Sequence, residues 1–198
     1  MLFTRQRLLL NLLDTLDGDV AHTDFQKLLF LFTQEFETQP SYEFVPYRFG
    51  CFSFSSYADK RKLIDAGLLI QNDDRWQLTD AGSQAAREKP QLPLLLADFV
   101  ARYGELKGKP LVREVYTRYP YYAIRSEIVE DVLPSTEERA GVEAAKPMVN
   151  QPALLTIGYE GKSLEHYLNQ LLQAGVTLLC DVRRNPLSRK NTAFPREP

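Results

Sequence analysis

Apolar residues recur at helical spacing from the start of the chain. Leu8, Leu9, Leu12, Leu13 and Leu16 share one face, and Asp17-Gly18 ends the run. The period returns in Phe25, Leu28, Leu29, Phe32 and Phe36, and Pro40 closes it. Thr23-Asp24-Phe25-Gln26 has the spacing of a capping box and predicts a second helix opening at Thr23. Residues 42–50, YEFVPYRFG, alternate and are rich in aromatics, which predicts an extended arm or short strand turned by Gly50. Ser53 is a candidate N-cap for a third helix from Phe54 to about Ala66, with Gly67 as its stop. Leu68-Leu69-Ile70 and Arg75-Trp76-Gln77-Leu78 then flank Asn72-Asp73-Asp74, the pattern of a β-hairpin.

Three helices followed by a hairpin is the order of a winged-helix domain, with the third helix in the recognition position. Pure interaction modules share that order. Further helices are predicted from Leu92 to about Leu106 and from Lys109-Pro110 onward, with Pro120 breaking the second. Four tyrosines, at 116, 119, 121 and 122, follow closely, and packing against the preceding helices is the expected use of their rings. Residues 131–152 hold prolines, Glu and Ala and read as a linker. Beyond it, Leu154-Leu155-Thr156-Ile157 and Val176 to Val182 have the apolar runs of buried strands. They flank a helix at 163–174 whose stripe is Leu164, Tyr167, Leu168, Leu171 and Leu172. Strand, helix, parallel strand is one βαβ unit. The expected fold class is therefore α+β: a winged-helix-like domain over 1–130, a linker over 131–152, and a partial Rossmann-like α/β unit over 153–198.

Composition narrows the function classes. Hydrophobic residues make up 44% and charged residues 25% of the 198 positions, which is ordinary for a globular chain. The net charge of −2 hides an asymmetry: residues 1–150 carry 18 basic and 22 acidic groups, whereas 151–198 carry 6 and 4. Nucleic-acid binding would thus need a local basic patch. Two cysteines and two histidines offer no zinc-ligand spacing, so no metal site is expected. No cofactor motif is present either, and no run is long enough for a membrane span. The amphipathic N-terminus lacks a cleavage site, so a cytoplasmic location with reduced thiols is expected. Cys51 and Cys180 read as small buried hydrophobes and His22 as a surface residue.

Two places carry candidate chemistry. On the third helix and the wing, Ser53, Ser55, Ser56, Lys60, Arg61, Lys62 and Arg75 are residue types that contact DNA phosphates, although Asp59, Asp65, Asp73 and Asp74 weaken the field. The other reading is a solvated helix face. In the βαβ unit, Gly158, Tyr159, Lys162 and Ser163 form a glycine-containing turn into a helix, where free N–H groups suit a phosphorylated small ligand or other anion. The alternative there is a tight turn with Ser163 as N-cap. Asp181, Arg183 and Arg189 follow the second strand, at the end where open α/β sheets build their sites. No nucleophile–base pair stands out.

Residues 154–190 resemble the opening of a bacterial and archaeal domain family of unknown function. The resemblance rests on Thr156-Ile157-Gly158-Tyr159, on Ser163 to Tyr167, and on Asp181-Val182-Arg183 with Pro186, Ser188 and Arg189. It implies an enzyme or nucleotide sensor with Gly158, Lys162, Asp181, Arg183 and Arg189 around a ligand. In that family the last motif is followed by further helices and strands. Residues 191–198 lack such a pattern, so an interrupted or frameshifted form is expected. The segments FQKLLFLF, YEFVPYRFGCFS, LIDAGLLI, WQLTDAG and LVREVYTRYP are similar to winged-helix-like modules of phage-associated and antitoxin-type proteins. That likeness implies a regulatory or defence role, with DNA or a protein as the partner.

Overall fold

The computed structural model describes residues 2–148 and 154–182. The chain divides into two compact units, the first ending at Lys146 and the second starting at Pro147.

The first unit opens with α1 (Thr4–Thr15), which ends where Asp17 and Gly18 both adopt left-handed backbone angles. Strand β1 (Asp19–Ala21) leads directly into α2 (His22–Glu35). The expected capping box does not form, because its members are used elsewhere. The Gln26 amide bonds Ser53 and Ser56, and the Asp24 carboxylate accepts the Gly108 N–H. Phe25 to Phe32 are buried on every side, Lys27 included, so α2 is the central helix rather than an amphipathic one.

The aromatic segment forms a hairpin of β2 (Val45–Tyr47) and β3 (Gly50–Phe52), with Tyr47 opposite Gly50 and Arg48-Phe49 as its turn. Helix α3 (Phe54–Asp65) follows, with the Ser53 hydroxyl accepting the Ser56 N–H as the sequence predicts. Gly67 stops it at φ +70°. Strand β4 (Arg75–Gln77) pairs antiparallel with β1, with Trp76 opposite Val20. On its other side the predicted hairpin is reduced to a Leu69–Leu78 bridge, with the Ile70 N–H donating to the Gln77 carbonyl and the Thr79 N–H to the Leu68 carbonyl. Strand β1 thus joins the two predicted segments as a third, which the spacing around Asn72-Asp73-Asp74 did not reveal.

Helices α4 (Asp80–Glu88), α5 (Pro93–Tyr103) and α6 (Gly108–Arg118) complete the shell. A 3-10 turn at Pro120–Ala123 breaks the chain at the proline, as expected. Tyr119 and Tyr122 stack edge-on against Phe30 of α2, and Tyr116 is fully buried, so the tyrosines serve packing. The described part of the expected linker, 131–148, is more than half helical. It takes in the end of α7 (Val129–Val132) and all of α8 (Thr136–Ala144), with a capping box at Ser135 and Glu138. Val132, Leu133 and Val142 are buried, and these few apolar side chains suffice to dock a segment whose composition is polar.

In the second unit, α9 (Leu164–Gln173) forms where the leucine stripe predicts it, capped by Ser163 and stopped at Gly175. The two flanking strands are not present: 154–159 and 176–182 carry no strand pairing. Leu154, Leu178 and Val182 are 97%, 78% and 92% exposed, and Cys180 is exposed rather than buried. An apolar run becomes a strand only against a hydrogen-bonded neighbour and a covering layer, and neither is present among the described residues. The fold is α+β, and the described residues combine helices with two small antiparallel sheets. Among the described residues no helix is long and apolar enough to cross a membrane.

Candidate partner-binding face

Helix α3 is locked by a buried carboxylate. Asp59, with a fully buried side chain, accepts from Gln6 at 3.0 Å and Tyr42 at 3.2 Å, and pairs with Arg5 at 2.6 Å and Lys62 at 3.6 Å. Burial first, and Asp59 next, push the Tyr42 phenol above its ordinary range. These contacts fix the rotation of α3 and decide which side chains face outward.

The residues expected to meet phosphate are spread over different environments. Ser56 is buried and bonded to Gln26 and to the Ser53 carbonyl. Lys60 is only 2% exposed; its ammonium donates to the Asn72 carbonyl at 2.7 Å and lies 5.2 Å from the Trp76 ring centre. Burial pulls Lys60 below its ordinary pKa, with Asp73 and Asp74 opposing. Ser53 is the buried cap, and Ser55 is half-buried. Arg75 is paired with Asp19 at 2.5 Å, and Lys62 shares Asp59 with Arg5. Arg61 is exposed, makes no ion pair among the described residues, and lies 6.0 Å from the Tyr57 ring centre. A field built for duplex DNA needs several free cations along one face. Of the cations expected to contact phosphate, only Arg61 is exposed and without an ion pair among the described residues.

Aromatic rings occupy the place expected for cations. Tyr47, Phe52, Phe54 and Tyr57 form a chain of ring contacts, with Tyr47–Phe52 at 5.2 Å, Phe52–Phe54 at 4.9 Å and Phe52–Tyr57 at 6.1 Å. Tyr47 and Phe49 are 41% and 48% exposed. His22 joins the cluster from below, edge-on to Tyr57 at 5.6 Å, and its Nδ1 accepts the Trp76 indole N–H at 2.9 Å. It is a half-buried residue, not a surface one. Burial, with Lys60 and Lys27 adding to it, lowers its pKa to about 4, so the ring is neutral near pH 7.

The anion-site residues of the second unit are only partly within the described chain. Gly158 is exposed, Tyr159 half-buried, and Ser163 caps α9 by accepting the His166 N–H. The Lys162 ammonium donates to Gln170 at 2.6 Å. Asp181 is exposed in a stretch without helix or strand, while Arg183 and Arg189 lie outside the described residues. No group of three or more His, Cys, Asp or Glu among the described residues is placed to hold a metal ion. A cleft of about 270 Å³ beside β1 is lined by Asp19, paired with Arg75, by Asp24, which accepts the Gly108 N–H, and by Asp17, Glu105 and Lys107.

Set against family models, curated proteins and solved structures, the chain matches none of them. The functional argument therefore rests on this geometry. The aromatic face had a sequence signal in the YEFVPYRFGCFSF segment. What the sequence lacked was the contact of Tyr57 with Phe52 and of Tyr47 with Phe54, which joins the hairpin to α3.

Proposed function

We propose that the first unit is a winged-helix-like module with a regulatory or defence-associated role, and that its partner is a protein. Its element order supports the winged-helix reading, with a strand between the first two helices that pairs with the wing strand after the third. The choice of a protein over duplex DNA rests on one observation. Of the predicted phosphate contacts, Ser56 and Lys60 point inward and Lys62 and Arg75 are ion-paired.

The test is a titration of the full chain against a labelled DNA duplex over a range of salt. The expected result is no saturable binding at low salt, and the same for Arg61→Glu. In parallel, the tagged chain cross-linked in its native cells is expected to carry one protein at near-equal stoichiometry. An affinity that falls steeply with salt and is lost on Arg61→Glu would overturn the proposal in favour of DNA.

A further inference from the structure

The β2–β3 turn is unusual for a loop that faces water. Two-residue hairpin turns in solvent favour Asn, Gly and Asp, whose backbones accept the turn and whose surfaces hydrate well. Here the turn is Arg48-Phe49, and Tyr47 precedes it. This tip is also held rigidly. The Arg48 carbonyl accepts the Glu127 N–H at 2.8 Å. Gly50, at φ +91°, lies so close to Tyr116 that an added Cβ would fall 2.5 Å from its ring. An exposed aromatic turn that is braced from behind has already lost the conformational freedom that binding removes.

The charges around it favour one sign of partner. Arg61 has no ion pair among the described residues, and Arg48 has only an exposed, 3.6 Å contact with Glu127. Tyr57 lies under both Arg61 and Lys60, at 6.0 and 5.9 Å from its ring centre. Aromatic and arginine side chains grouped in this way are the residue types that dominate binding energy at protein interfaces.

We infer that Tyr47, Phe49, Phe54 and Tyr57, flanked by Arg48 and Arg61, form a docking surface for an acidic peptide segment. Its aliphatic side chains would cover the Tyr47 and Phe49 rings, and its carboxylates would pair with the two arginines. This inference rests on the protein-partner reading above and adds the location and the chemistry of the partner.

A random peptide library displayed on phage, selected against the full chain, tests it. The selected peptides are expected to combine Asp or Glu with aliphatic residues. Their synthetic versions are expected to bind about tenfold or more weakly to Tyr47→Ala/Phe49→Ala. Arg61→Gln is expected to weaken them less and to flatten the salt dependence. Both variants change exposed side chains, and an unchanged unfolding transition monitored by Trp76 verifies that they fold. Basic or uncharged consensus peptides, peptides indifferent to these variants, or no selected peptide would each overturn the inference while leaving a protein partner elsewhere on the module. Oligothymidylate binding lost on Tyr47→Ala/Phe49→Ala, with no peptide selected, would overturn the protein-partner reading as well.

Discussion

Removing the Asp59 carboxylate tests how α3 is held. In Asp59→Ala, Gln6 and Tyr42 lose an acceptor while both remain buried, at 4% and 2% exposure. Tyr42 keeps a second acceptor, the Arg5 carbonyl at 3.1 Å, and Arg5, with 43% of its side chain exposed, regains water. Two hydrogen bonds to a charged acceptor are worth about 1.5–3 kcal/mol each, and relief of the buried carboxylate's desolvation offsets part of that. The expected net loss is about 3 kcal/mol. Asp59→Asn is expected to lose nearly as much, because its NH2 group would face other donors. Trp76 is the only tryptophan, fully buried in the first unit, so its fluorescence in a urea titration reports this unit specifically. The midpoint should fall with an unchanged slope. A loss below about 1 kcal/mol, or full rescue by asparagine, would refute the argument that a buried ion-pair hub sets α3.

Other perturbations follow from the same geometry. In Gly82→Ala the new Cβ would sit 2.1 Å from the Leu68 carbonyl oxygen, so the Trp76 transition should shift down by more than about 2 kcal/mol. Gly141→Ala, whose nearest neighbour is Pro120 Cβ at 3.7 Å, should instead gain about 0.5 kcal/mol from helix propensity. Acidification should destabilise the first unit through His22. Its folded pKa of about 4 lies below the ordinary 6.5, so the unfolded chain takes up the proton first. That stability is complete above pH 6.5 and lost between pH 6.5 and about 4, on the order of 3 kcal/mol, and His22→Gln should flatten this part of a stability–pH profile. Glu35 accepts the Tyr103 and Tyr119 hydroxyls and pairs with Arg118, so Glu35→Ala should cost about 3 kcal/mol in the same urea assay.

Periodicity made α1, α2, α3 and α5 legible, and caps such as Ser53 and stops such as Gly67 placed their ends closely, whereas α8 fell in a segment whose polar composition reads as a linker. Pairings between distant segments were less visible. Nothing local to Asp19-Val20-Ala21 announces a strand that pairs with Arg75-Trp76-Gln77, because three residues are too few to show a period. Lys60 shows the limit for site residues. As a lysine beside Arg61 and Lys62 it reads as a surface cation, yet the turn of α3 that buries Leu63 also carries it over Trp76. A long aliphatic stem lets a lysine lie against an aromatic ring and still reach an acceptor, here the Asn72 carbonyl. In the second unit the pattern located α9, but strands depend on neighbours that a local pattern does not contain.

A photoreactive phenylalanine analogue placed at position 49 of the full chain, irradiated in cells, tests the central claim most directly. Phe49 is half-exposed at the hairpin tip, and Leu94, 80% exposed on α5, is the control position. A protein adduct of defined mass is expected from position 49, absent from position 94 and lost when Tyr47→Ala and Arg61→Glu are added. A nucleic-acid adduct, an identical pattern from both positions, or no adduct from position 49 would contradict a protein-docking role for this face.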